Sequence, residues 1–175
     1  GGSLVNLGVI TGGGGGSVGF GPGGPSGIGA SATGGVLTNG TVGGDSALIQ
    51  GSVGFVGYGT GATVVNYGTI AGFYGTAVSL QSGDTLVIEA GSTLVGAAVG
   101  NGGTLAWGGA GGPGTITGLG SEYSGFSHYA VLAGADWTLT GTQTIPPGAA
   151  LTDAGTLAVY GDLSTAATVT RARSF

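Results

Sequence analysis

Two carboxylates five residues apart, Asp84 and Glu89, are the first place to look for chemistry in this 175-residue chain. A glycoside hydrolase needs two carboxyl groups held about 5 to 10 Å apart in a cleft. A polysaccharide lyase also needs a positive group to stabilise its enolate, and the only Lys or Arg residues are Arg171 and Arg173, in the last five positions. We therefore expect Asp84 and Glu89 to be solvated turn residues. The sequence predicts no catalytic residue and no enzymatic activity.

The densest group of polar and aromatic side chains lies in residues 121–129 and contains the single histidine, His128. One histidine without cysteine cannot build a usual zinc site, and the chain has no Gly-x-Ser-x-Gly turn of the kind that carries a serine nucleophile. We expect His128 to be a loop side chain that bonds to a neighbouring hydroxyl. This segment and the tyrosine-rich residues 55–74 form a candidate contact surface for glycans or proteins.

The candidate contact surface consists of Tyr58, Tyr67, Tyr74, Glu122, Tyr123, His128 and Tyr129. Core packing or loop anchoring is the competing role for the aromatic residues, including Trp107 and Trp137, and it is the role that we favour.

Calcium and ice are two further ligands to consider. Residues 43–45 resemble one fragment of the Gly-Gly-x-Gly-x-Asp calcium repeat, but without repeated Asp residues there are too few charged oxygens for the ion. Ice binding would need Thr-x-Thr pairs stacked on one face, and the non-overlapping pairs begin at Thr115, Thr138, Thr142 and Thr168. Since successive pairs begin 23, 4 and 26 residues apart, we expect them not to share a face. No metal and no cofactor are predicted.

Composition predicts an all-β fold. The chain contains 16 Val, 7 Ile and 22 Thr, whose branched Cβ atoms favour extended backbone. Its 46 glycines are spaced too closely for a helix of three turns. Hydrophobic residues make up 41% of the chain and charged residues only 5%, so the chain must bury apolar surface. Glycine tracts at residues 12–16 and 19–29 are predicted to be loops.

Charge excludes one class of partner. Residues 1–170 contain seven carboxylates and no Lys or Arg, whereas nucleic-acid binding depends on cationic side chains at phosphates. No apolar run approaches the length of a membrane-spanning helix, and we predict no transmembrane segment.

A short phrase recurs at residues 4–10, 36–42 and 64–70, each with two short strands bent at an asparagine, namely Asn6, Asn39 and Asn66. A fourth copy at residues 151–157 has Asp153 at the bend. Both residue types tolerate left-handed backbone and bond their own turn, and Gly8, Gly68 and Gly155 follow two residues later. Stacked coils would bring the asparagines into a ladder of side-chain amides. The pattern predicts a parallel β-helix (β-solenoid) with irregular glycine-rich loops.

The runs at residues 64–70, 135–142 and 155–157 resemble the passenger repeats of bacterial autotransporter and adhesin-like surface proteins, and the likeness extends over about residues 3 to 165. The resemblance implies a right-handed coil, export from a Gram-negative cell, and a role in adhesion or matrix. We divide the chain into one solenoid domain, residues 1–170, and a short basic tail, residues 171–175.

The leading hypothesis is an extracellular structural protein that assembles head to tail into a surface or matrix fibre or displays adhesive loops. Its partners would be further copies of itself or other components of the cell surface or matrix. A glycan- or protein-binding module is the alternative, and a polysaccharide-active enzyme ranks third.

Overall fold

The structure, a computed structural model, describes residues 2–13, 27–44, 46–165 and 167–171. Within these ranges the regular structure is β-strand without helix, and parallel sheets stack as a β-solenoid, so the predicted fold class is confirmed. Residues 14–26 of the predicted glycine loops, Asp45 and residues 172–175 lie outside the described residues.

Seventeen strands are assigned in the described ranges. They are β1 (Ser3–Asn6), β2 (Val9–Thr11), β3 (Ala30–Ala32), β4 (Gly35–Asn39), β5 (Leu48–Gly57), β6 (Ala62–Asn66), β7 (Thr69–Ser79), β8 (Thr85–Ile88), β9 (Thr93–Val99), β10 (Thr104–Trp107), β11 (Gly114–Ile116), β12 (Tyr123–Ser124), β13 (His128–Val131), β14 (Asp136–Ile145), β15 (Ala150–Asp153), β16 (Thr156–Thr165) and β17 (Thr168–Arg171).

Eight of these strands form one parallel sheet, the long sheet, in the order β1-β4-β6-β8-β10-β13-β15-β17. Each neighbouring pair keeps the same register without a shift, so one position of every strand lies above the same position of the next. Because side chains alternate between the two faces of a strand, four columns of side chains run along the sheet, two pointing inward and two outward.

The remaining strands form the second wall, which consists of a six-stranded sheet (β2, β3, β5, β7, β9, β12) and a three-stranded sheet (β11, β14, β16). Its pairs β5–β7 and β7–β9 carry register shifts. The core lies between this wall and the long sheet and includes Leu86, Leu105 and Trp107 from the long sheet with Ile70 and Leu139 from the second wall.

The first inward column shows how the repeat encodes the core. Its eight members are Leu4, Leu37, Val64, Leu86, Leu105, Tyr129, Leu151 and Val169. The six interior members are buried. We call each turn of the solenoid a rung. An apolar residue at this position of each strand therefore packs its rung into the solenoid interior.

Two local expectations were wrong. Residues 41–42, the second half of the second phrase, form a turn with a bridge between Thr41 and Gly44, and the strand resumes only at Leu48. Arg171 ends β17, so its backbone belongs to the last rung and not to a tail.

Candidate functional site

Asn6, Asn39 and Asn66 occupy the second inward column of the long sheet and form a ladder of side-chain amides. The Nδ2 atom of Asn6 donates to Oδ1 of Asn39 at 2.8 Å, and Nδ2 of Asn39 donates to Oδ1 of Asn66 at the same distance. Asn39 and Asn66 also donate to the carbonyl oxygens of Thr69 and Thr93 in the second wall. The ladder thus ties the ends of β4 and β6 to the starts of β7 and β9.

Beyond Asn66 the second inward column changes from polar to apolar side chains. Its next members are Ile88, Trp107 and Val131, followed by Asp153. Asp153 is therefore at the expected corner but separated from the amide ladder by three apolar residues. Its Oδ1 atom accepts from the backbone N–H of Gly155 at 3.2 Å, as Oδ1 of Asn6 accepts from Gly8 at 3.1 Å.

The corners do not use left-handed backbone at the asparagines, contrary to expectation, because Asn101 is the single non-glycine residue with positive φ in the described ranges. Two of the corner glycines, Gly68 and Gly155, serve close approach instead. A Cβ atom at Gly68 would lie 2.3 Å from the carbonyl oxygen of Ala47, and one at Gly155 would lie 2.4 Å from that of Ala135. No atom lies within 4 Å of such a Cβ at Gly8.

Asp84 is fully buried, which corrects the prediction of a solvated corner. Its Oδ1 atom accepts from the backbone N–H of Ala62 at 2.9 Å and its Oδ2 atom from that of Gln81 at 3.0 Å. Backbone N–H groups therefore replace water around the carboxylate. Asp84 immediately precedes β8 and bonds to the first residue of β6, so it fixes where two neighbouring strands of the long sheet begin.

Glu89 is also buried, at the other end of β8. Its Oε2 atom accepts from the backbone N–H groups of Ala110 and Gly111 at 3.0 and 3.2 Å. It also bonds to Tyr67, and burial together with the Glu89 charge raises the pKa of the Tyr67 hydroxyl. An extended strand places Asp84 and Glu89 about 16 Å apart, too far for a hydrolase pair. Both carboxylates serve the turns of the solenoid.

The predicted contact residues are divided among separate places. Tyr58 and Tyr74 are exposed, Tyr67 is half-buried against Glu89, and Tyr123 is half-buried against the core. Burial and the neighbouring Glu122 raise the pKa of Tyr123. Trp107 and Trp137 pack in the core, as favoured from the sequence.

His128 and Tyr129 point to opposite faces of β13. His128 is the first residue of β13 and not a loop residue, which corrects that prediction. Its side chain is exposed, and its Nδ1 atom lies 2.8 Å from the hydroxyl of the neighbouring Ser127, as expected. Tyr129 lies in the inward column beside Trp107 and Phe126 and is buried, so its assignment to a contact surface was wrong. Because side chains alternate between the two faces of a strand, these two sequence neighbours lie on opposite sides of the sheet.

Phe73 and Tyr74 form an exposed pair that sequence reasoning identified only in part. Three residues of β7 between Gly72 and Thr76 oppose the single residue Ser52 of β5, so two residues are inserted and bulge from the second wall. Tyr74 is 74% exposed. The signal in the sequence is two aromatic residues between glycines at positions 72 and 75.

An open cavity of about 440 Å³ lies at the amino-terminal end of the solenoid. Its walls include Leu4 and Leu37 of the long sheet, Ala30 of β3, Phe55 of β5 and Tyr58. We call it the end cup. It is lined mainly by apolar side chains at the first rungs, where the core reaches the surface.

Within the described residues, no group of three or more His, Cys, Asp or Glu side chains could hold a metal ion. The same ranges contain no helix that is long and apolar enough to cross a membrane. Comparison with known proteins finds no matching family model, no matching curated protein and no matching solved structure.

Proposed function

We propose that this chain is an extracellular structural protein whose solenoids stack end to end into a fibre. One observation carries the proposal. Leu4 and Val169 are the two end members of the first inward column, and they are 53% and 55% exposed although the six members between them are buried. Each is an inward-pointing core position that has a rung on only one side in the described structure.

The polarity of the long sheet favours a head-to-tail contact. All its neighbouring strands run parallel, and within the described residues β1 pairs only with β4 and β17 only with β15. A second copy can therefore add β1 to β17 in the same direction and register, with Leu4 above Val169. Such a contact is heterologous and does not close, which generates a filament.

The two ends also match in chemistry. The end cup is bordered by Leu4, Leu37 and Phe55. At the other end, Val159 of β16 pairs with the fully buried Leu139 but is itself half-exposed. Stacking would cover these apolar groups, and burial of each exposed half of a Leu or Val side chain contributes about 1 kcal/mol.

Electron microscopy of the purified chain tests the proposal with a matched pair of variants. Leu4→Asp places a charge in the inward column, whereas Val5→Asp places it on the outer face of the same strand at nearly equal exposure, 55%. We expect filaments from the wild type and from Val5→Asp, and monomers from Leu4→Asp. Monodisperse wild-type protein at high concentration, or filaments from Leu4→Asp, would overturn the proposal.

The proposal includes secretion to the surface of a Gram-negative bacterium. It is supported by the resemblance of residues 64–70 and 135–142 to autotransporter passenger repeats. Exposure on the cell surface is measured by protease treatment of intact source cells, with a cytoplasmic protein as control. Complete protection of the chain in intact cells would contradict this location.

A binding module is the second candidate, favoured by the exposed Phe73–Tyr74 bulge, since exposed aromatic rings supply stacking surfaces for sugars and proteins. A polysaccharide array would compare the wild type with Tyr74→Ser and with Tyr160→Ser, a control whose tyrosine is equally exposed at 73%. Loss of a bound glycan in Tyr74→Ser alone would support this function, and absence of any bound glycan would reject glycan binding.

A further inference from the structure

The outer face of the long sheet is a regular array of side chains that includes no Asp, Glu, Lys or Arg. Its first column contains Ser3, Val36, Thr63, Thr85, Thr104, His128, Ala150 and Thr168. Its second column contains Val5, Thr38, Val65, Val87, Ala106, Ala130, Thr152 and Thr170. No member of the first column is buried, whereas Val87 and Ala106 are buried in the second. Hydroxyl and methyl groups dominate both columns.

We infer that this face binds ice. Constant register along the long sheet repeats the first-column side chains about every 4.8 Å across all eight strands. The second column adds accessible side chains about 6.6 Å away on the six strands other than β8 and β10, where Val87 and Ala106 are buried. Thr and Val have few χ1 rotamers, so the array is held in place before binding. A lattice of this kind can hold ordered water by hydroxyl hydrogen bonds and by methyl groups that restrict the neighbouring water.

Charge favours ice over a macromolecular partner. Ice is an uncharged lattice of donors and acceptors, and the face offers hydroxyls with no ionised Asp, Glu, Lys or Arg among its sixteen members. A charged side chain would keep its own hydration shell, which costs free energy to remove. A highly charged polymer, in turn, would find no counter-charge on this face.

The area of this outer face argues against a second copy of the chain as its binding partner. Eight strands span about 34 Å and a five-residue strand about 16 Å, which gives a face of roughly 550 Å². A stable protein interface usually buries about 800 Å² on each partner. The face is therefore small for a dimer, whereas an ice surface needs no matching protein area.

The constant register of the long sheet, and not the spacing of Thr-x-Thr pairs, places the threonines of this face above one another. Thr63, Thr85 and Thr104 are separated by 22 and 19 residues, yet they lie directly above one another because the intervening loops absorb the difference. Of the Thr-x-Thr pairs in the chain, only Thr168 and Thr170 belong to this face.

Ice shaping and thermal hysteresis of the purified 175-residue chain test the inference. We expect wild-type protein to facet ice crystals and to produce a hysteresis gap. Thr85→Tyr and Thr63→Tyr, which raise a bulky ring from the first column, should lose most of that gap. Thr93→Tyr makes the same change at an exposed, outward threonine of β9 in the second wall and should retain it.

Circular dichroism would establish that each variant is folded. If one of Thr85→Tyr and Thr63→Tyr does not fold, the other still tests the inference. The Leu4→Asp variant, which blocks stacking in the proposed fibre, should keep its ice activity because its change faces inward. The inference is overturned if wild-type protein neither shapes ice nor produces hysteresis, or if Thr85→Tyr and Thr63→Tyr match Thr93→Tyr.

Discussion

The long sheet and the second wall differ in how regularly their strands stack along the solenoid. The long sheet continues through eight strands without a register shift, whereas the second wall divides into a six-stranded and a three-stranded sheet and carries shifts in β7. Buried polar groups hold the ends of long-sheet strands, with Asp84 before β8 and Asn39 at the end of β4. The second wall instead accommodates two inserted aromatic residues, Phe73 and Tyr74.

The difference shows where the solenoid tolerates variation. Hydrogen bonds that fix both ends of a strand force insertions into loops or into the other wall. A regular face for a periodic ligand and an irregular face for local contacts can therefore coexist in one coil. Substitutions in the two walls test this division.

The largest effect is expected from Asp84→Ala. The substitution leaves the buried N–H group of Ala62 and the part-buried N–H group of Gln81 without their acceptor, and we expect a loss of about 3 to 5 kcal/mol in the free energy of unfolding. Denaturant unfolding measures it, with Asp162→Ala at an exposed position as control, expected to change stability by less than about 0.5 kcal/mol. Equal midpoints for both variants would contradict a structural role for the Asp84 carboxylate.

Asn39→Ala should cost about 2 to 3 kcal/mol, because it removes the central amide of the ladder and leaves the buried Oδ1 atom of Asn66 without its Asn39 donor. Asn6 loses one acceptor, but its Nδ2 atom still donates to the carbonyl oxygens of Gly8 and Leu48. A double-mutant cycle with Asn66→Ala measures the coupling between the two amides. Strictly additive losses in that cycle would show that the ladder bonds do not contribute.

Tyr129→Phe should stabilise the protein by about 1 kcal/mol at neutral pH, because the buried hydroxyl finds no hydrogen-bond partner in the described structure. Burial raises the pKa of Tyr129, so the folded state holds this proton more tightly than the unfolded state. This difference leaves stability unchanged below about pH 10 and lowers it as the pH rises above about 10, where the unfolded state releases the proton first. Unfolding at pH 8 and pH 11 should show a smaller alkaline loss in Tyr129→Phe, and an unchanged or larger loss would contradict the assignment.

The smallest effect is expected from Tyr74→Ser, within about 0.5 kcal/mol, because the bulge of the second wall projects into solvent. The matched change in the long sheet, Tyr129→Ser, should cost about 3 to 4 kcal/mol by opening a cavity in the core. Thermal unfolding of the pair measures the contrast, and similar losses would remove the distinction between the walls.

Much of this arrangement could be predicted from local chemistry. Branched residues and close glycines indicated all-β structure, and the repeated asparagine indicated a corner. The burial of Asp84 and Glu89 could not be predicted, because a lone acidic residue in a glycine-rich segment is typical of a solvated turn. Apart from Gln81, which is three residues from Asp84, the backbone N–H groups that bond to these carboxylates lie 21 or 22 residues away, and backbone groups leave no signature in a sequence.

What the sequence determined by itself is the β-solenoid and its corner residues, because composition and short-range spacing act within one rung. The tertiary structure alone decided which residues lie above one another, since rungs of 18 to 33 residues conceal the register. That register places Tyr129 inside, separates Asp153 from the amide ladder, and lines up threonines from unequal repeats. Hydrogen bonds between successive strands, and not distance along the sequence, decide which residues become neighbours.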